Sequence, residues 1–202
     1  MMPFLLADAA ADPIHDAIER YQHVASYQAT VKSSNGSRTE IMRYYFKKPG
    51  YVRMEFIQPF GGAVLVYDHA KGRARLWPFS YWSFPALSLS PENHLIQSAT
   101  GQRVDRSDVG ALYQNVRIMQ EHGKTEVAGT EMVGGKETLH VTIEGEKNFT
   151  VGGVHRYQLW LEQEALFPLR ISSHDVARHL IETVEMNELK INPEFPPDFF
   201  EP

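Results

Sequence analysis

Nine histidines and no cysteine stand in this chain of 202 residues. Any metal ligation or general-base chemistry would therefore fall to His, Asp and Glu, and disulfides, zinc–thiolate sites and thiol nucleophiles are excluded. The densest grouping is His174-Asp175 followed by His179, a set that could offer imidazoles and a carboxylate to a cation. It falls at a hairpin turn, where His and Asp are ordinary surface residues, and no second cluster completes it, so no metal site is expected. Neither a His-Glu-x-x-His nor a Gly-x-Ser-x-Gly motif occurs. Gly129-x4-Gly134-Gly135-Lys136 comes close to a phosphate-binding loop. An extra glycine precedes its lysine, however, and it joins two strands, whereas a phosphate loop runs from strand into helix. Glu126, Glu131, Glu144 and Glu146 recur on expected strands as a solvated face. No catalytic residue and no cofactor are expected. The enzymatic alternative is a lipid-directed enzyme with His174 or His140 as base.

The elements that would position any site are mainly strands. Asp12-Pro13 is a helix start, and Ile14, Ala17, Ile18, Tyr21 and Ala25 recur at helical spacing, which predicts an amphipathic helix over 13–26. Strands are expected at 27–34 and 38–46 around the Asn35-Gly36 turn, then at 52–58, 63–68 and 73–77. The aromatic stretch 77–85 carries two prolines and cannot be a central strand. It reads either as core filling or as a lip that touches an acyl chain or membrane surface. Short helices are expected after Ser90-Pro91 and from Ser107. Strands resume at 124–133, 137–145, 155–163, 168–174 and 179–190, and the proline-rich tail is not helical.

The alternation within these strands is the informative signal. In Val52-Arg53-Met54-Glu55-Phe56, apolar residues face one way and charges the other, while 41–46 is apolar on both faces. A sheet with one wet face would not do this. Either both sides are covered, or one side lines an internal cavity. The chain is long enough for one domain with a sizeable core. Its 20 basic and 25 acidic residues leave a formal charge of -5, which argues against nucleic acid as a partner. Pro3-Phe4-Leu5-Leu6 before Ala9-x-Ala11 reads as a disordered terminus or the remnant of an export signal over 1–11, leaving 12–202 as a single domain.

Taken in order, Tyr27-Gln28-Ala29-Thr30-Val31, Tyr45-Phe46-Lys47-Lys48-Pro49, Val52-x-Met54-x-Phe56-x-Gln58-Pro59 and Val64-Leu65-Val66-Tyr67-Asp68 resemble the LolA-like family of periplasmic lipoprotein carriers and lipoprotein-sorting proteins. Tyr157 to Leu161, Phe167 to Arg170 and Leu189-x-Ile191-Asn192-Pro193 extend the resemblance. It implies a mainly β (α+β) fold, an open curved antiparallel half-barrel with helices covering the concave face. It also implies a lipid-binding cavity formed by Tyr27, Ala29, Val31, Met42, Tyr44, Phe46, Val52, Met54, Phe56, Leu65 and Tyr67. Where LolA carriers place a lid-latching arginine before the proline, this chain has Lys48, a mobile ammonium in place of a fixed fork of donors. The function implied is a non-enzymatic, periplasmic, monomeric carrier that shelters the acyl chains of a lipid or lipoprotein. Its partners would be an inner-membrane donor and an outer-membrane acceptor. The alternative is a regulatory or sensor protein whose half-barrel binds a polypeptide.

Overall fold

The computed structural model describes residues 12–79, 85–98 and 100–201. The expected terminus over 1–11 and most of the aromatic stretch 77–85 lie outside the described residues. The chain opens with helix α1 (Pro13–Gln22), then runs through β1 (Ser26–Ser34), β2 (Thr39–Lys47), β3 (Tyr51–Gln58), β4 (Val64–Asp68), β5 (Arg73–Trp77) and β6 (Leu87–Leu89). Two short 3-10 turns lead into helix α2 (Val109–Glu121). Strands β7 (Gly123–Val133), β8 (Lys136–Gly145), β9 (Arg156–Glu162), β10 (Pro168–His174) and β11 (Leu180–Ile191) complete it.

All eleven strands join one antiparallel sheet in the order β6-β5-β4-β3-β2-β1-β11-β10-β9-β8-β7. Consecutive strands pair throughout except β6 and β7, and β1 pairs with β11 to join the two halves. The outermost strands β6 and β7 do not meet, so the sheet is an open half-barrel, as expected. Local chemistry fits this order. Gly134 and Gly135 both take positive φ, 59° and 79°, in the two-residue turn between β7 and β8, a backbone shape that other residues resist. At Gly123 a side chain would collide with the Glu144 carbonyl, so glycine lets β7 start directly beside β8 after α2.

The expected helix over 13–26 ends four residues early, because the chain leaves α1 at His23 to enter β1. The helix expected after Ser90-Pro91 is a single 3-10 turn, His94–Ile96, capped by Asn93. The two-faced strands are explained by cover on both sides. On the concave face α1 and α2 bury Ile14, Ala17, Tyr113, Val116 and Met119 against Tyr27, Val141, Ile143 and Leu159. On the convex face the C-terminal tail lays Phe195 and Phe199 against Tyr45, at ring separations of 6.0 and 5.0 Å. There the Arg53 guanidinium donates to the Phe199 carbonyl oxygen at 3.0 Å. Farther along, His140 stacks on Trp160 at 4.3 Å, and Glu131 accepts from the Trp160 indole N–H at 2.8 Å.

Candidate functional site, an apolar cavity under the half-barrel

Strand register arranges the concave face in rows that cross the sheet. The first row, Tyr27–Phe46–Val52–Tyr67–Ala74, runs across β1 to β5. The second, Tyr44–Met54–Leu65–Leu76, lies one pleat further on. The third is Met186–Val31–Met42–Phe56, and the fourth is Val184–Ser33–Glu40. The first row belongs to the sealed core beneath the helices. The other three form the floor of a cavity of about 330 Å³, roofed by Leu95, Ile96, Gln97, Ser98, Gln102, Val104 and Ser107 from the segment between β6 and α2.

Six of the eleven residues expected to line a cavity are therefore brought together in it: Val31, Met42, Tyr44, Met54, Phe56 and Leu65. Tyr27, Ala29, Phe46, Val52 and Tyr67 lie in the core instead and do not line the cavity. The cause is the placement of the helices, which fill one half of the trough and leave the other half open. Sequence reasoning missed Val184 and Met186, which continue the alternation of β11 but reach the cavity only through the β1–β11 pairing. It also missed Glu40, although Glu40 stands two residues before Met42 and so shares its face.

The helices are tied down by specific bonds. The Lys48 ammonium donates to the Tyr21 and Gln22 carbonyl oxygens, each at 2.9 Å, and so caps the C-terminal end of α1. A cation suits that end of a helix dipole. The same ammonium lies 4.9 Å from the Tyr21 ring centroid. Burial pulls its pKa down, and the Asp108 carboxylate pushes it partly back. By register Lys48 adjoins the Tyr51 end of β3, the end of the strands remote from Glu40, so it secures the sealed half and not the cavity mouth. Asp108 caps α2 by accepting from Gly110 N–H at 2.6 Å and also accepts from the Tyr21 hydroxyl at 3.2 Å, joining the two helices. Gln120 donates to both Asp12 carboxylate oxygens at 3.0 and 2.9 Å, a second tie. The Tyr27 hydroxyl accepts from Val109 N–H at 3.1 Å, and Tyr113 donates to the Leu166 carbonyl at 2.8 Å. Burial raises the pKa of both phenols far above the ordinary range, so they stay neutral donors and acceptors.

The groups with chemical potential elsewhere do not reach the cavity. His140 alternates with Val141 and Ile143 of the concave core and so faces the convex side, where its Nδ1 meets Glu131 at 2.8 Å. His174 lies outside the lining, and burial together with Arg156 lowers its pKa. His179 bonds Asp175 at 3.1 Å on the exposed turn. Among the described residues no three His, Asp or Glu side chains converge as a metal site would require. No described helix is long and apolar enough to cross a membrane.

Comparison with known proteins fits this geometry. The family of MucB/RseB N-terminal domains matches residues 88–202, more than half of the chain and the part that holds α2 and the strands β7 to β11. The chain belongs to the MucB/RseB N-terminal domain family. The open half-barrel that the LolA-like resemblance implies is borne out, though the most specific motifs of that resemblance, over 45–68, lie outside the matched residues. An uncharacterized conserved protein from Thermus thermophilus is 14% identical, with 92% of this chain and 94% of that chain covered and a TM-score of 0.53. MucB is 13% identical over 96% of this chain, with a TM-score of 0.54. This chain spans 64% of that MucB chain. The MucA/MucB complex of Pseudomonas aeruginosa gives 13% identity, coverage of 93% and 61%, and a TM-score of 0.50. At such identities the likeness is one of fold. No curated protein sequence matches.

Proposed function

We propose that this protein binds the acyl chain of a lipid or lipoprotein in the cavity between the β1–β5 floor and the roof drawn from residues 95–98 and 102–107, and that it does so without catalysis. The observation that carries this reading is an open cavity of about 330 Å³ floored by Val31, Met42, Met54, Phe56, Leu65 and Met186. Pockets that bury small ligands begin at roughly 300 Å³ and are mostly apolar. Exposed hydrocarbon costs about 0.8 kcal/mol per methylene, so a chain crossing water gains from such shelter. In this reading residues 12–202 act as one LolA-like domain, exported to the periplasm. Lys48 acts as the latch that keeps α1 seated. Purified protein examined by native mass spectrometry should carry a co-purified amphiphile. After delipidation it should take up a fluorescent acyl probe. A stripped, folded protein that ignores the probe would overturn the reading.

A second reading is supported by the MucB/RseB family membership and by the existence of a MucA/MucB complex. Here the half-barrel belongs to a regulator or sensor and engages a polypeptide partner. Binding of that partner by a variant with a filled cavity would separate it from acyl-chain binding, which the same variant should lose.

A further inference from the structure

The charges lining the cavity among the described residues are all of one sign: only Glu40 and Glu182 of that described lining are ionisable acids, and no described Lys, Arg or His belongs to it. Their positions are not scattered. Glu40 pairs with Ser33 across β1–β2, Ser33 pairs with Val184 across β1–β11, and Glu182 lies two residues along the same face of β11. Both carboxylates therefore stand at one end of a trough whose remaining floor, apart from Ser33 and Tyr44, is hydrocarbon. The Ser33 hydroxyl donates to Glu182 Oε1 at 2.5 Å, and Thr100 donates to its other oxygen at 3.5 Å. Neither acid forms an ion pair among the described residues.

The electrostatic consequence follows from the neighbours. Burial and the Glu182 carboxylate push the Glu40 pKa up, and Arg38, exposed on the adjoining hairpin, offsets this only in part. Two acids side by side at the edge of an apolar cavity repel one another more strongly than they would in water. A protein built only for stability would place a cation or a neutral residue between them. An anionic head such as a carboxylate would meet two like charges here, which disfavours it strongly. A positively charged head would neutralise the pair and leave its chain on the apolar floor.

We propose that the cavity takes a single-chain amphiphile whose polar end is an ammonium group, held between Glu40 and Glu182 while its chain lies over Val31, Met42 and Met186. This rests on the acyl-chain reading above and adds the sign of the head group to it. The test compares dodecylamine, dodecanol and dodecanoate, each below its micelle concentration, for displacement of a fluorescent acyl probe from delipidated protein at pH 8. The amine should bind at least tenfold more tightly than the alcohol, with dodecanoate weakest. In the E40Q/E182Q variant, with its fold checked by circular dichroism, the ratio of amine to alcohol should fall to near one. Equal binding of the three probes, or tighter dodecanoate, would overturn the ammonium assignment and leave the acyl-chain reading standing. An amine preference that survives in the folded double variant would overturn the assignment to these two acids. Should the double variant not fold, the order of the three probes on the unaltered protein still decides the matter. Failure of all three to displace a bound probe overturns the ammonium assignment, and failure of the probe to bind overturns both readings.

Discussion

Filling the cavity from its edge tests the central reading with the least disturbance to the core. Val184 is half-buried on β11, faces the open space and stands beside Ser33 and Ile171. A chain that lays about ten methylenes in the cavity gains ~0.8 kcal/mol for each, about 8 kcal/mol of gross transfer energy, before the costs of ordering chain and protein. Val184→Trp adds about seven heavy atoms, enough to displace roughly six methylenes and forfeit about 5 kcal/mol if the chain finds no other path. Partial rerouting of the chain lowers this, so the expected loss is at least a hundredfold in affinity for a fluorescent acyl probe. The new ring enters space that is already open, so overpacking should cost no more than about 1–3 kcal/mol of stability. The assay is probe titration alongside thermal denaturation. A folded Val184→Trp protein that binds the probe as tightly as the unaltered chain would refute the cavity assignment.

Other perturbations report on the supports of the site. Lys48→Met removes two charge-assisted bonds to α1 and should cost about 2–3 kcal/mol in denaturant unfolding, whereas Lys48→Arg should keep most of it; equal stability of the Met variant would deny Lys48 a latching role. Asp108→Ala loses the α2 cap and the Tyr21 bond and should destabilise by about 1–2 kcal/mol, measured in the same way. Glu40 has its folded pKa raised above the ordinary 4.5 by burial and by Glu182. For an acid shifted upward, ionisation costs stability: the cost is complete above the folded pKa and vanishes as pH falls to the unfolded value. Glu40→Gln should therefore raise stability at pH 8 and change it little near pH 4, as read from urea midpoints; the reverse pattern would contradict the burial argument.

Much of the architecture was legible because its signals are local. The alternation of Val52, Met54 and Phe56, the Asn35-Gly36 and Gly134-Gly135 turns and the Asp12-Pro13 helix start each depend on a few neighbouring residues. These were enough to place ten of the eleven strands within one or two residues, the three-residue β6 being missed, and, with the LolA-like motif order, for an open half-barrel. The cavity was less legible. The LolA-like resemblance placed all eleven expected residues on one face, but a strand period of two carries no information about what covers that face. Tyr27, Phe46 and Val52 look the same in sequence as Met42 and Met54, yet helices bury the first group and leave the second beside open space.

What the amino-acid sequence determined by itself was the pleat: which side chains share a face, where the chain turns, and that no cysteine or familiar catalytic motif supplies chemistry. Tertiary structure decided how those faces are used. The β1–β11 pairing brings Val184, Met186 and Glu182 from the end of the chain beside Val31, Ser33 and Glu40 near its start. Such a contact spans about 150 residues, so its partners cannot be inferred from local periodicity. The physical reason is that hydrophobic burial is non-directional. It drives the greasy face inward without naming which helix, tail or ligand will cover each part of it.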